Sequence, residues 1–120
     1  MSYEFIIYGD VRFDVSYDDN ELSSFILSYI KNQSNVGTFT YLHLCRALIE
    51  TAIEEKRLIG AKANTYYQSP QLKPSQYTRV SMLLWRYILK GIIFIDFYNN
   101  EYVAHMANDT TFGINKESLK

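Results

Sequence analysis

The chain has 120 residues, 48% hydrophobic and 21% charged, with a net charge of −1, 11 tyrosines and a single cysteine. This length and balance predict one globular domain over 1–120 and argue against a disordered chain. The lone Cys45 excludes an intrachain disulfide and a cysteine-built zinc cage; the start does not resemble a signal peptide and no apolar run reaches the ~18–20 residues of a membrane span, so a cytoplasmic protein with no membrane partner is expected.

Tyr3 to Tyr17 reads as an N-terminal hairpin. Gly9-Asp10 would make the turn, with Ile6 opposite Phe13 and Tyr8 opposite Val11 on the inward face. The helix that follows can be capped by Asp18 with Glu21 three residues later, as a capping box, or by Asp19 alone. Behind it Leu22, Phe25, Ile26, Tyr29 and Ile30 form a helical stripe that ends near Gln33. Thr38–Thr40 is a short strand or the cap of the next helix. Tyr41 to Leu58 has an apolar face broad enough for burial between two layers. Gly60 to Pro74 reads as a long irregular loop, a kind that is functional or mobile as a rule.

Ser75 is a good cap for a helix that runs to Lys90, with Tyr77, Val80, Leu84, Tyr87 and Ile88 on its apolar face. Gly91 stops it. Ile92 to His105 reads as a second hairpin around Asn99-Asn100, and 108–120 as a surface tail with Phe112 and Ile114 as anchors. The expected fold class is α+β. Three helices near 20–33, 40–58 and 75–90 pack with an N-terminal and a C-terminal β-hairpin. Phe25, Ile26, Ile30, Leu48, Ile49, Leu84, Ile88 and Ile93 should form the core.

No catalytic constellation is visible. His43 and His105 are distant in sequence, the glycines are isolated, and the carboxylate pairs Asp18-Asp19 and Glu54-Glu55 are adjacent and so diverge on a helix. Cys45, among Leu42, Leu48 and Ile49, reads as a buried small apolar side chain. No enzyme activity, cofactor or metal is expected.

The charge is unevenly distributed. Residues 1–55 hold nine acids and three bases, residues 56–90 hold seven bases and no acid, and residues 91–120 hold four acids and two bases. That pattern points to an anionic partner for the middle segment. Arg79, Arg86 and Lys90 share one stripe of the third helix, with Gln76 and Thr78 near its start. Tyr66 and Tyr67, bordered by Lys62 and Lys73, suit base stacking with cations on phosphates, or one of them plugs the core while the other covers the loop. An exposed helix also needs polar cover for its own sake, and Arg and Lys supply it.

The run Tyr87-Ile88-Leu89-Lys90-Gly91-Ile92-Ile93, followed by Phe94 to His105, resembles the end of the recognition helix and the wing of a winged helix-turn-helix domain. The likeness spans about residues 20–105, with the first helix, the Thr38–Thr40 strand and the second helix in family order. It implies a recognition helix over 75–90 that meets duplex DNA or another polyanion through Arg79, Arg86 and Lys90. Lys62, Lys73, Gln76, Thr78, Tyr66 and Tyr67 would assist, and the wing would lie at Asn99-Asn100. The chain departs from the family in its long second helix and in the sixteen residues from Ile59 to Pro74 that replace a short turn.

The competing expectation is a protein-interaction module. Asp10, Asp14, Asp18, Asp19 and Glu21, in a tyrosine-rich half, suit a basic protein surface, and a homodimer is open as well. The Tyr-, Ile- and Asn-rich composition suits an AT-rich genome such as that of a phage or mobile element, where small proteins regulate transcription or inhibit host proteins.

Overall fold

The structure, a computed structural model, describes residues 3–96 and 108–119. In chain order its elements are β1 (Phe5–Val15), α1 (Asp19–Asn32), β2 (Thr38–Thr40), α2 (Tyr41–Glu54), β3 (Leu58–Ile59), β4 (Thr65–Leu72), α3 (Pro74–Leu89), β5 (Ile93–Ile95), β6 (Thr111–Ile114) and a 3-10 turn, Lys116–Leu119. The fold is α+β: the described residues form three α-helices and two small sheets, with strands towards both ends.

The helices follow local signals. α1 opens on the capping box: Asp18 accepts from the Glu21 N–H at 2.8 Å, and Glu21 accepts from the Asp18 N–H at 3.1 Å. Thr40 caps α2 by accepting from the His43 N–H at 3.2 Å. α2 stops at Glu54, four residues earlier than its periodicity suggests, because Lys56 takes a left-handed φ of 57° and turns the chain into β3. α3 starts with Pro74 in its first turn and Lys73 as the cap residue, without the Ser75 cap bond expected.

The strands depart further from expectation. Residues 5–15 do not turn back at Gly9-Asp10; β1 is one strand of 11 residues. It runs parallel to β4 from Phe5↔Thr65 to Phe13↔Leu72, and antiparallel to β3 at Asp14↔Ile59 and Val15↔Leu58. Gly9, with φ 88°, makes a bulge where the register slips between Ile7 and Asp10. A left-handed glycine serves a bulge as readily as a hairpin turn. The distant strand wins because it covers apolar surface that a local hairpin would leave bare. Tyr67 and Leu72 are buried, and the Tyr67 ring packs edge-on against Phe13 at 4.9 Å. The stretch read as an irregular loop over 60–74 therefore contains β4.

The second sheet has the order β2-β6-β5, all antiparallel. Phe112 pairs with Phe39 on one side and Ile95 on the other. Residues from 108 onward are thus not a surface tail: Phe112 and Ile114 are buried in the central strand. The Phe94 ring lies over Gly113 and leaves no room for a Cβ there. The turn at Asn99-Asn100 and the return strand at Glu101–His105 lie outside the described residues. Of the expected core, Ile26, Ile30, Leu48, Ile49, Leu84 and Ile93 are buried, and Phe25 and Ile88 pack partly buried against them.

Candidate functional site: the charged seam and the outer face of α3

The acid-rich start of the chain and its base-rich middle meet inside the fold. Asp14 accepts from Lys73 Nζ at 2.9 Å and from Gln76 Nε2 at 3.0 Å. Asp19 accepts from Arg79 at 3.0 Å, and Arg79 also donates to Gln76 Oε1 at 2.8 Å and to the Tyr17 carbonyl at 2.7 Å. Arg57 grips Glu21 with both terminal nitrogens at 3.1 Å, donates to Ser16, and stands 4.5 Å over the Tyr17 ring. Tyr17 donates in turn to Glu55 at 2.5 Å; burial, then Glu55, pushes its phenol well above the ordinary range. Three ion pairs therefore stitch β1 and the start of α1 to α3 and to the link between α2 and β3.

This seam makes stability depend on acid. The hydrogen bond from Lys73 holds the Asp14 carboxyl below its usual range, and that from Arg57 does the same for Glu21. Groups with lowered folded pKa contribute stability above their unfolded pKa of about 4, and lose it as pH falls through the folded values. Thermal melts should show a falling midpoint between about pH 4 and pH 2. The double variant Lys73→Ala/Arg57→Gln should start lower and fall less. Parallel curves for parent and variant would remove the seam from this role.

The expected anion-binding residues do not share one surface. Lys73, Gln76 and Arg79 belong to the seam and face Asp14 and Asp19. The Thr78 hydroxyl donates to the Pro74 carbonyl at 3.1 Å. Tyr67 is buried and its hydroxyl accepts from the Lys62 N–H at 2.9 Å, so its ring is a core plug; Tyr66 is exposed beside Tyr3, with ring centroids 5.5 Å apart. Lys62, Arg86 and Lys90 are exposed and make no ion pair among the described residues.

The outer face of α3 carries something the sequence reading passed over. Met82, Trp85 and Leu89 are all exposed, Leu89 by 86%, and their spacing of three and four residues makes them a second apolar stripe. The signal was present in the spacing, but the stripe through Val80, Leu84 and Tyr87 already accounted for a core face. Trp85, Ile88 and Phe94 border an apolar groove of about 860 Å3 that Lys116 also lines. Met82 and Trp85 border a larger groove of about 1150 Å3 between α2, β4 and α3, where Arg46 and Ile53 lie.

Elsewhere the chemistry is quiet. Cys45 is buried, and burial pushes its thiol up to about 12, so no thiolate forms near neutral pH. The Tyr41 hydroxyl, its pKa raised chiefly by burial, lies 3.0 Å from the Tyr77 carbonyl and 2.9 Å from the Ser81 hydroxyl. His43 is exposed on the first turn of α2, and His105 lies outside the described residues. Among the described residues there is no group of three or more side chains able to hold a metal, and no helix long and apolar enough to cross a membrane. No protein family, curated protein or solved structure matches the chain.

Proposed function

We propose that this protein is a non-enzymatic binding module, winged-helix-like in build, whose third helix receives an acidic, amphipathic helix of a partner protein. The observation that carries this reading is the exposed stripe Met82, Trp85 and Leu89. A helix face of this kind gains by covering apolar surface, and phosphates and base edges offer it little. Trp is also a favoured anchor of protein interfaces. Exposed Arg86 and Lys90 stand beside the stripe and Lys116 lines the smaller groove, so an acidic rim on the partner complements that end of α3; the larger groove balances Arg12 and Arg46 with Asp10 and Glu50.

The winged-helix part rests on element order. α1, β2, α2, α3 and β5 follow the order that the resemblance implies, and β5 pairs antiparallel with β6. β3 and β4 occupy the place of its short turn. The duplex-DNA reading shares Arg86, Lys90 and Lys62, but Lys73, Gln76 and Arg79 are engaged with acids of the same chain, which weakens the positive field it needs.

Trp85 is the sole tryptophan, so its emission reports the site directly. The probe is a synthetic helical peptide with Leu and Trp-free apolar anchors at i, i+3 and i+7 and a Glu-rich opposite face. The expected result is a blue shift on titration, with affinity reduced at least about tenfold by Leu89→Asp, while the unfolding free energy stays within about 1 kcal/mol of the parent. The absence of any shift with the peptide would overturn the docking reading. Binding of duplex DNA with a steep salt dependence, lost in Arg86→Ala/Lys90→Ala, would replace it with the polyanion reading.

A further inference from the structure

We infer that two copies of this chain associate along the open edge of β1, antiparallel, so that the sheet β3-β1-β4 continues into its copy across a two-fold axis. This surface is separate from the outer face of α3.

β4 pairs with one edge of β1 from Phe5 to Phe13, but β3 meets the other edge only at Asp14 and Val15. Among the described residues, the stretch from Phe5 to Phe13 therefore has no strand on that side. An open edge this long is a template for another strand, and folded proteins usually blunt it with lysine, proline or a bulge. Phe5 to Val11 contains no lysine and no proline. Its blunting devices are confined to the bulge at Gly9, whose N–H donates to the Gln68 side chain of β4 at 3.2 Å, and to the single charge of Asp10, so Phe5 to Tyr8 carries neither.

The side chains around this edge are apolar and exposed. Tyr8 is 73% and Phe5 60% exposed, and Ile6 is 54% exposed with them. Taking about 200 Å2 for an aromatic side chain and somewhat less for isoleucine, the exposed parts amount to roughly 350 Å2 per copy before any backbone is counted, the scale of a weak contact that dissociates on dilution.

Charge selects a second copy in the antiparallel sense. Glu4 and Arg12 are both exposed, make no ion pair among the described residues, and lie equally far along the chain from Tyr8. A two-fold axis near Tyr8 brings Glu4 of each copy towards Arg12 of the other. Parallel pairing of identical strands would oppose like charges instead. Such an isologous contact closes at two copies.

The test is sedimentation of the full chain over a concentration series, against a monomer mass of 14.1 kDa. The expected result is a dimer that dissociates on dilution. Tyr8→Glu should shift it to monomer with its helical circular dichroism unchanged. Glu4→Arg should weaken the dimer, and Glu4→Arg/Arg12→Glu should restore it, because the swap returns opposite charges to both ends. A monomer at every soluble concentration would overturn the inference. So would a dimer indifferent to both charge variants, an open-ended series of larger species, or an edge that takes up unrelated extended peptides while the chain stays monomeric.

Discussion

Phe112→Ala is expected to lower the unfolding free energy by ~3–5 kcal/mol, the usual cost of emptying a fully buried phenylalanine site. Phe112 sits in the central strand of the second sheet with no exposed surface. Its ring stacks on Phe39 at 5.1 Å, and Phe39 in turn takes the edge of Tyr29 at 5.6 Å. Removing the ring therefore opens a cavity where β2, β5 and β6 meet α1. Backbone pairing on both sides of Phe112 limits how far that cavity can close. Domains of this size have about 5–15 kcal/mol in hand, so the variant should be marginal at room temperature. Urea denaturation gives the measurement. A loss below about 1 kcal/mol would mean that the chain after residue 108 is surface after all.

The difference between a tail and a central strand was not legible in the sequence because Thr111–Ile114 is only four residues long. Periodicity has too few repeats to act on at that length. The helices were legible for the opposite reason. Asp18 and Glu21 form a complete local start signal, and Leu22, Ile26 and Ile30 repeat often enough to define a face. Helical hydrogen bonds close within four residues, so the information that selects them is local.

β1 shows the other limit. Gly9 was rightly a place where φ turns positive, but a bulge and a turn ask the same of glycine. What decided between them was β4, some sixty residues away, whose pattern is broken by the run Gln68-Ser69-Pro70-Gln71. The charge asymmetry misled in a similar way. An acid-rich half beside a base-rich segment has the same composition whether the bases await a ligand or face the acids across the fold. Lys73 and Asp14 are 59 residues apart in the chain and 2.9 Å apart in space. The stripe on α3 was readable in principle: with Met82, Trp85 and Leu89 beside Val80, Leu84 and Tyr87, the helix has more apolar faces than one core can use.

Leu72→Ala should cost ~2–5 kcal/mol, whereas Lys62→Ala, ten residues earlier in the same stretch, should stay within about 0.5 kcal/mol of the parent. Leu72 ends β4 opposite Phe13 and has no exposed surface. Its N–H donates to the Tyr77 hydroxyl at 3.3 Å, and the next N–H, of Lys73, donates to the Phe13 carbonyl at 2.9 Å. The leucine thus fixes the corner where the first sheet hands the chain to α3. That corner also sets the distance at which Lys73 and Gln76 meet Asp14. Lys62 is exposed in the link between β3 and β4 and its backbone N–H donates to the Tyr67 hydroxyl, so losing its side chain removes no hydrogen bond or ion pair among the described residues. A mobile loop would make both substitutions cheap, and a docked strand makes only the leucine expensive. Paired urea midpoints decide the matter, and equal small losses at the two positions would mean that β4 does not hold the first sheet together.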